Sequence, residues 1–152
     1  QILLASTVAM IAGATTVIAA EGGKRDQIDA AISYRQSVYH VIIWNYAQMG
    51  AMVKGKTPYD AADYAKRAER VAALSSQLEE GFIPNSAGRD STEAKAEIWA
   101  NWDDFKAKLG DFERESKALA EVAKAGKFDD VKAQHAKVGG TCKACHDKYK
   151  QD

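Results

Sequence analysis

Cys142, Cys145 and His146 stand together in the run Cys142-Lys143-Ala144-Cys145-His146 near the C-terminus. Two thiols with an adjacent imidazole at this spacing are the groups that hold a covalently attached c-type haem. Each thiol can add across a haem vinyl group, and the imidazole then falls under the iron as an axial ligand. The same residues admit two other chemistries. A redox dithiol normally sits beside a βαβ pattern, and the chain shows no strand alternation. A zinc site needs a fourth ligand, which His135 could offer, but structural zinc sites usually draw their second ligand pair from a separate knuckle. The chain has only these two cysteines, so no disulfide framework competes for them.

The elements that must position these groups read as helices. Ile28, Ile32, Arg35, Tyr39, Ile42, Tyr46, Met49 and Val53 share one stripe at the 4,3 spacing of a bundle seam. Ile98, Trp102, Phe105, Leu109, Phe112, Ser116 and Leu119 form a second. Between them an Ala-rich stretch from Pro58 to Glu80 carries Tyr64, Ala68, Val71, Leu74 and Leu78 on one face, with Pro58 placed for a helix start. A fourth helix follows Gly126 and carries Val131, Val138, Cys142, Cys145 and Tyr149. Breaks fall at Gly55 to Pro58, at Gly81 to Ser91 and at Ala125-Gly126. Gly139-Gly140 lies inside the last helix and costs stability there, about 1 kcal/mol per glycine relative to alanine. Either the pair lets a macrocycle or a neighbouring helix approach closely, or it starts the C-terminal helix late. The expected fold is all-α, an antiparallel four-helix bundle.

The 152 residues make one domain by length, and 46% hydrophobic with 28% charged residues describes a globular chain. Its 21 basic and 21 acidic side chains give no electrostatic reason for a nucleic acid or an anionic membrane as partner. Residues 1–20 carry no charge and end in Val17-Ile18-Ala19-Ala20. They read as the apolar and cleavage regions of a secretory signal truncated at its start, with 21–152 as the mature domain. A membrane anchor would also suit that length; the Ala, Thr and Gly content and the small-residue site favour cleavage. Export suits the haem motif, because bacteria attach haem covalently on the far side of the inner membrane. A periplasmic location, with no membrane attachment after cleavage, is therefore expected.

Arg35 and Tyr39 interrupt an otherwise apolar seam, one helical turn apart. A buried guanidinium needs an anion, and haem has two propionates, so Arg35 with Gln36 is a propionate partner by chemistry. An arginine that snorkels from the stripe edge to solvent is the alternative. Tyr39 is either a core aromatic or a lid over the open face of the iron, where a phenol is a poor ligand for ferrous iron. Met49 and Met52 could ligate by chemistry, but Met49 is ten residues, or ~15 Å, along the helix from Tyr39. His40 is rotated about 100° from Tyr39 and falls off the seam; His135 is a further candidate imidazole.

Tyr34-Arg35-Gln36-Ser37, Trp44-Asn45, Val53-Lys54-Gly55, Tyr59-Asp60-Ala61-Ala62, Glu97-Ile98-Trp99 and the run from Cys142 to Tyr149 together resemble cytochrome c′, the high-spin class II cytochromes c of bacterial periplasms. The similarity runs from about Arg25 to Lys150. The resemblance implies one haem c near one end of the bundle and a homodimer packed through the first two helices. By carry-over, Cys142 and Cys145 form thioethers and His146 is the axial ligand. Arg35 and Gln36 lie by the propionates, Glu97 and Ile98 border the haem, and Tyr39 faces the open coordination site. Many members have arginine four residues after the axial histidine; Lys150 stands there, keeping the charge but losing the planar fork.

The function implied is binding of NO and CO at a five-coordinate iron, for nitric oxide trapping or tolerance, with electron transfer to a redox partner protein as a further role. A low-spin periplasmic electron-transfer cytochrome is the alternative, and it lacks a methionine at the Tyr39 position. An enzyme such as a peroxidase is not expected, because neither Tyr39 nor His40 has an evident acid–base partner.

Overall fold

The apolar stripes fold into four long helices, joined by two short helical turns. The computed structural model describes residues 14–87 and 92–151. Most of the expected leader lies outside them, and residues 14–20 enter only as the first turns of α1. The elements are α1 (Ala14–Val53), α2 (Ala61–Ser75), a 3-10 turn (Glu79–Gly81), α3 (Glu97–Ala100), α4 (Trp102–Ala125) and α5 (Phe128–Tyr149). The long helices α1, α2, α4 and α5 make an antiparallel four-helix bundle, with α2 packed on α1 and α4, and α4 on α5. No helix among the described residues is long and apolar enough to cross a membrane.

The seams bury as their spacing requires. Ile32, Arg35, Ile42 and Met49 are buried on α1, while Val41, Ile43 and Trp44 on its other side face solvent. Tyr64, Ala68 and Val71 of α2 meet Phe105, Leu109, Phe112 and Leu119 of α4 and Val131 and Val138 of α5 in one core. Each large apolar side chain buried there contributes about 1.5–3 kcal/mol.

Helix ends follow local chemistry. α2 starts at Ala61 and not at Pro58, because Asp60 is the cap: its carboxylate accepts from the backbone N–H groups of Ala62 and Asp63 at 2.9 and 3.0 Å. It stops at Ser75, short of Glu80. There the Ser75 and Ser76 hydroxyls donate back to the Ala72 and Ala73 carbonyls at 2.8 and 3.3 Å and compete with the next turn. α4 ends on Gly126, whose φ of 72° is a left-handed conformation that glycine adopts without steric cost.

α5 runs unbroken through Gly139-Gly140. A Cβ on residue 139 would stand 2.8 Å from the Tyr46 hydroxyl oxygen, so this glycine admits the neighbouring helix. α1 and α5 thus touch at Tyr46. Toward Tyr39 and His146 they leave a cavity between them.

Candidate functional site

Cys142, Cys145 and His146 fall at i, i+3 and i+4 on α5, so all three share one face of the helix. Cys145 and His146 line a cavity of about 780 Å³, within the roughly 300–1,000 Å³ range of ligand pockets. Cys142 sits one turn back, half-buried against the core. Burial pushes the Cys145 thiol up to about 11 and raises that of Cys142. Both thiols therefore stay protonated at neutral pH, whereas a zinc site or a redox dithiol works through thiolate. Among the described residues no group of three or more His, Cys, Asp or Glu side chains is arranged to hold a metal ion. His146 is exposed at the cavity; partial burial, then the Lys150 charge, lowers its pKa and favours the neutral ring that can ligate.

The opposite wall comes from α1, where Arg35, Gln36 and Tyr39 all line the cavity. Tyr39 is half-buried and meets Phe82 edge-on at 6.5 Å. Burial, reinforced by the charges of Cys145 and Cys142, holds its phenol well above the usual tyrosine pKa. It therefore remains a neutral, poorly ligating group. His40 also lines the cavity although it is exposed. The opening is wide enough to reach a residue one position off the seam, which the helical angle alone did not indicate. Met49 is fully buried in the core and is not part of the lining.

Arg35 departs from the expected anion grip. It is 2% exposed, and its two terminal nitrogens bond to the chain itself. Nη1 donates to the Gly81 carbonyl at 2.8 Å and to Ser86 Oγ at 2.7 Å. Nη2 donates to the Ser86 carbonyl at 2.7 Å and to Thr92 Oγ1 at 2.8 Å. The guanidinium also lies 4.8 Å over the Phe82 ring. Gly81 permits the approach, since a Cβ there would come within 2.4 Å of Arg35 Cβ. Arg35 lines the cavity by fixing the chain that walls it, and its terminal fork faces that chain.

The third wall is the segment before α4. Ile98 is buried and lines the cavity, but Glu97 is exposed and lies outside the lining. With Ile98 turned inward on a single helical turn, its neighbour points about 100° away. Glu93 supplies the carboxylate on this wall instead. A short antiparallel pairing ties the wall to the end of α5: Lys95 N–H donates to the Tyr149 carbonyl at 3.0 Å, and Gln151 N–H to the Glu93 carbonyl at 2.7 Å. Lys150 closes it with an ion pair to Glu93 at 2.8 Å. Phe82, Thr92, Glu93 and Tyr149 were absent from the expected site. The signal of the first three in the sequence is slight, because they sit in or beside a loop that reads only as a break, whereas Tyr149 reads as a core position of the last helix.

The cavity combines apolar walls, including Phe82 and Ile98, with polar groups at Gln36, Lys150 and His146. That donor set and size fit a flat macrocycle carrying two carboxylates. The remaining histidine, His135, is buried elsewhere, stacked on Tyr46 and hydrogen-bonded to Tyr64.

Residues 30–150 match the family model described as Cytochrome C'. A cytochrome c′ from Rubrivivax gelatinosus is 36% identical over 121 residues, covering 80% of this chain and 94% of its own. The solved cytochrome c prime from Shewanella frigidimarina is 46% identical, with a TM-score of 0.80 over 82% of this chain and 97% of that one. Cytochrome c prime from Alcaligenes xylosoxidans has been solved as a ferrous variant with bound NO, 35% identical at a TM-score of 0.76 over 82% of this chain and 96% of that one. A further variant of that protein has been solved with carbon monoxide bound.

Proposed function

This chain belongs to the cytochrome c′ family, whose members carry covalently attached haem c, and we propose that it is a periplasmic gas-binding protein for nitric oxide trapping. When bound, haem would supply an iron able to take a small neutral gas. The chain does the rest. Cys142 and Cys145 are placed to anchor the macrocycle and His146 to present a neutral imidazole on the α5 side. Gln36 lies where it can meet a propionate, while Arg35 fixes the wall through Gly81, Ser86 and Thr92. The observation that carries the reading is Tyr39, a half-buried, neutral phenol on the wall facing the Cys145–His146 face. It crowds that face without offering a strong ligand. Small gases then enter more readily than larger anionic ligands.

The test is the absorption spectrum of the matured protein in its ferric and ferrous forms, with and without CO. A high-spin ferrous spectrum that shifts with CO is expected. A low-spin spectrum indifferent to CO would overturn the proposal. One observation favours the second reading, a low-spin electron-transfer cytochrome: His40 lines the cavity beside Tyr39. In that case His40→Ala would convert the spectrum to high spin. The exposed patch of Val41, Ile43 and Trp44, with Trp44 65% exposed, supports a homodimer packed through α1.

A further inference from the structure

Tyr46, Tyr64 and His135 do not line the cavity, and gas binding makes no use of them. Tyr64 is fully buried on α2, and its hydroxyl lies 2.9 Å from His135 Nδ1. His135 stacks face to face on Tyr46, with ring centroids 4.2 Å apart and planes 3° from parallel. Tyr46 Oη donates to the His135 carbonyl at 2.8 Å, in the space that Gly139 leaves open. Cys142 follows Gly139 by three residues, and Cys142 and Tyr46 pack against the same core. A continuous path of ring systems therefore leads from the haem-attachment helix into α2. It continues through Tyr59, 5.8 Å from Tyr64, to Phe128, 4.7 Å further and 37% exposed.

A tyrosine that loses an electron must also lose its phenolic proton, so the group facing the hydroxyl decides where an oxidising equivalent settles. Tyr46 faces a backbone carbonyl, which cannot take a proton. The Tyr59 hydroxyl is buried without a partner. Tyr149 donates to Asp104, but Lys148 lies 2.9 Å from that carboxylate and 5.2 Å from the ring centroid, and a cation there opposes a positive hole. Tyr64 faces an imidazole. Burial, then the Lys54 charge, pulls the His135 pKa down to about 4, so near pH 7 the ring is neutral. We assign the Tyr64 hydroxyl as the donor and Nδ1 as the acceptor, the arrangement that gives this buried hydroxyl an acceptor.

We propose that Tyr46, His135 and Tyr64 form a relay that draws oxidising equivalents away from the haem site when the holoprotein meets a hydroperoxide, with Tyr64 holding the radical. The relay rests on the haem attachment proposed above. Hydrogen peroxide takes up two electrons and two solvent protons and leaves as two waters. Tyr64 gives one of these electrons, by way of His135 and Tyr46, and the bound haem would give the other. The Tyr64 O–H bond breaks and its proton crosses to His135 Nδ1, leaving a neutral tyrosyl radical beside an imidazolium. A small one-electron donor such as ascorbate then returns both electrons in two steps, one to Tyr64 and one to the haem, and His135 returns the phenolic proton.

The experiment mixes ferric holoprotein with one equivalent of hydrogen peroxide, freezes it within seconds and records the electron paramagnetic resonance spectrum. The visible spectrum of the same sample, taken before peroxide, reports haem attachment, so failure of that reading is seen separately. A tyrosyl radical is expected in the native protein, reduced at least tenfold in Tyr64→Phe and retained in Tyr59→Phe. His135→Gln, a second variant that leaves Tyr64 in place, should lose the high-field signature of a radical hydrogen-bonded to imidazolium. Peroxide should also bleach the haem several-fold faster in Tyr64→Phe than in the native protein. Absence of the radical from the native protein overturns the relay, as does its persistence in Tyr64→Phe or its loss in Tyr59→Phe.

Discussion

Replacing Arg35 with methionine tests whether this residue is a structural clamp. The substitution keeps an unbranched apolar stem and removes the four bonds to Gly81, Ser86 and Thr92. Two of the four acceptors keep other partners: Ser86 Oγ donates to the Ile83 carbonyl at 2.7 Å, and Thr92 Oγ1 accepts from Ala94 N–H at 3.1 Å. The Gly81 and Ser86 carbonyls, both on buried residues, lose the charged donor that faces them. A buried acceptor left unpaired costs about 1–3 kcal/mol, so the two together cost about 2–6 kcal/mol. Relief from burying a guanidinium offsets part of that. The net expectation is a loss of about 2–4 kcal/mol, or roughly 4–16 °C in melting temperature for a chain of this size. Urea titration followed by far-ultraviolet circular dichroism, at one protein concentration and pH 7, measures it. Arg35→Lys, which keeps the charge but not the fork, should fall between native and Arg35→Met. A loss below about 1 kcal/mol for Arg35→Met would refute the argument, because two stranded buried carbonyls could not be so inexpensive.

Tyr39→Ala should raise the CO affinity of the ferrous protein about tenfold, equivalent to about 1.4 kcal/mol of relieved crowding; an unchanged equilibrium titration would remove Tyr39 from the site. Asp60→Ala should cost about 1 kcal/mol in urea unfolding, since two N–H groups at the start of α2 lose their acceptor; no change would mean that the cap contributes nothing. Acid should destabilise the protein through His135, whose pKa is lowered from 6.5 to about 4. Between those values the unfolded chain binds the extra proton, so stability is fully present above about pH 6.5 and declines as the pH falls toward 4. The loss is on the order of 3 kcal/mol, and a stability profile of similar slope in His135→Gln would show that other groups carry it.

The helix that carries Cys142, Cys145 and His146 and the apolar seams were legible because both are periodic: thiol and imidazole groups at i, i+3 and i+4 leave a local signature, and so does a buried stripe. Arg35 was recognisable as a charge on an apolar face, but its partners are 46 to 57 residues away. No local pattern distinguishes a propionate from the carbonyl of a distant glycine. Glu97 was misplaced and Glu93 overlooked for the same reason. Which residue of 92–98 faces the cavity depends on the pairing of Glu93 and Lys95 with the end of α5, a tertiary contact between segments far apart in sequence. His40 was set aside by helical angle, an argument that assumes a narrow cleft.

Gly139 explains how one pair of helices both closes and opens. Tyr39 and Tyr46 lie seven residues apart on α1, about 10 Å along its axis. At Tyr46 the absent side chain of residue 139 lets a phenol reach within hydrogen-bond distance of α5, and the His135 carbonyl receives it at 2.8 Å. At Tyr39 the facing residues of α5 are Cys145 and His146, across a space of about 780 Å³. A helix cannot bend sharply without a specific cause, so contact at one end and separation at the other require the two axes to diverge. Gly139 fixes the near point of that divergence, and the Arg35 bonds to Gly81, Ser86 and Thr92 hold the wall at its far end. The two glycines that bear most on the site, Gly139 and Gly81, thus act through close approach, each admitting one side chain of α1. The cavity is a consequence of where those side chains are allowed to come near.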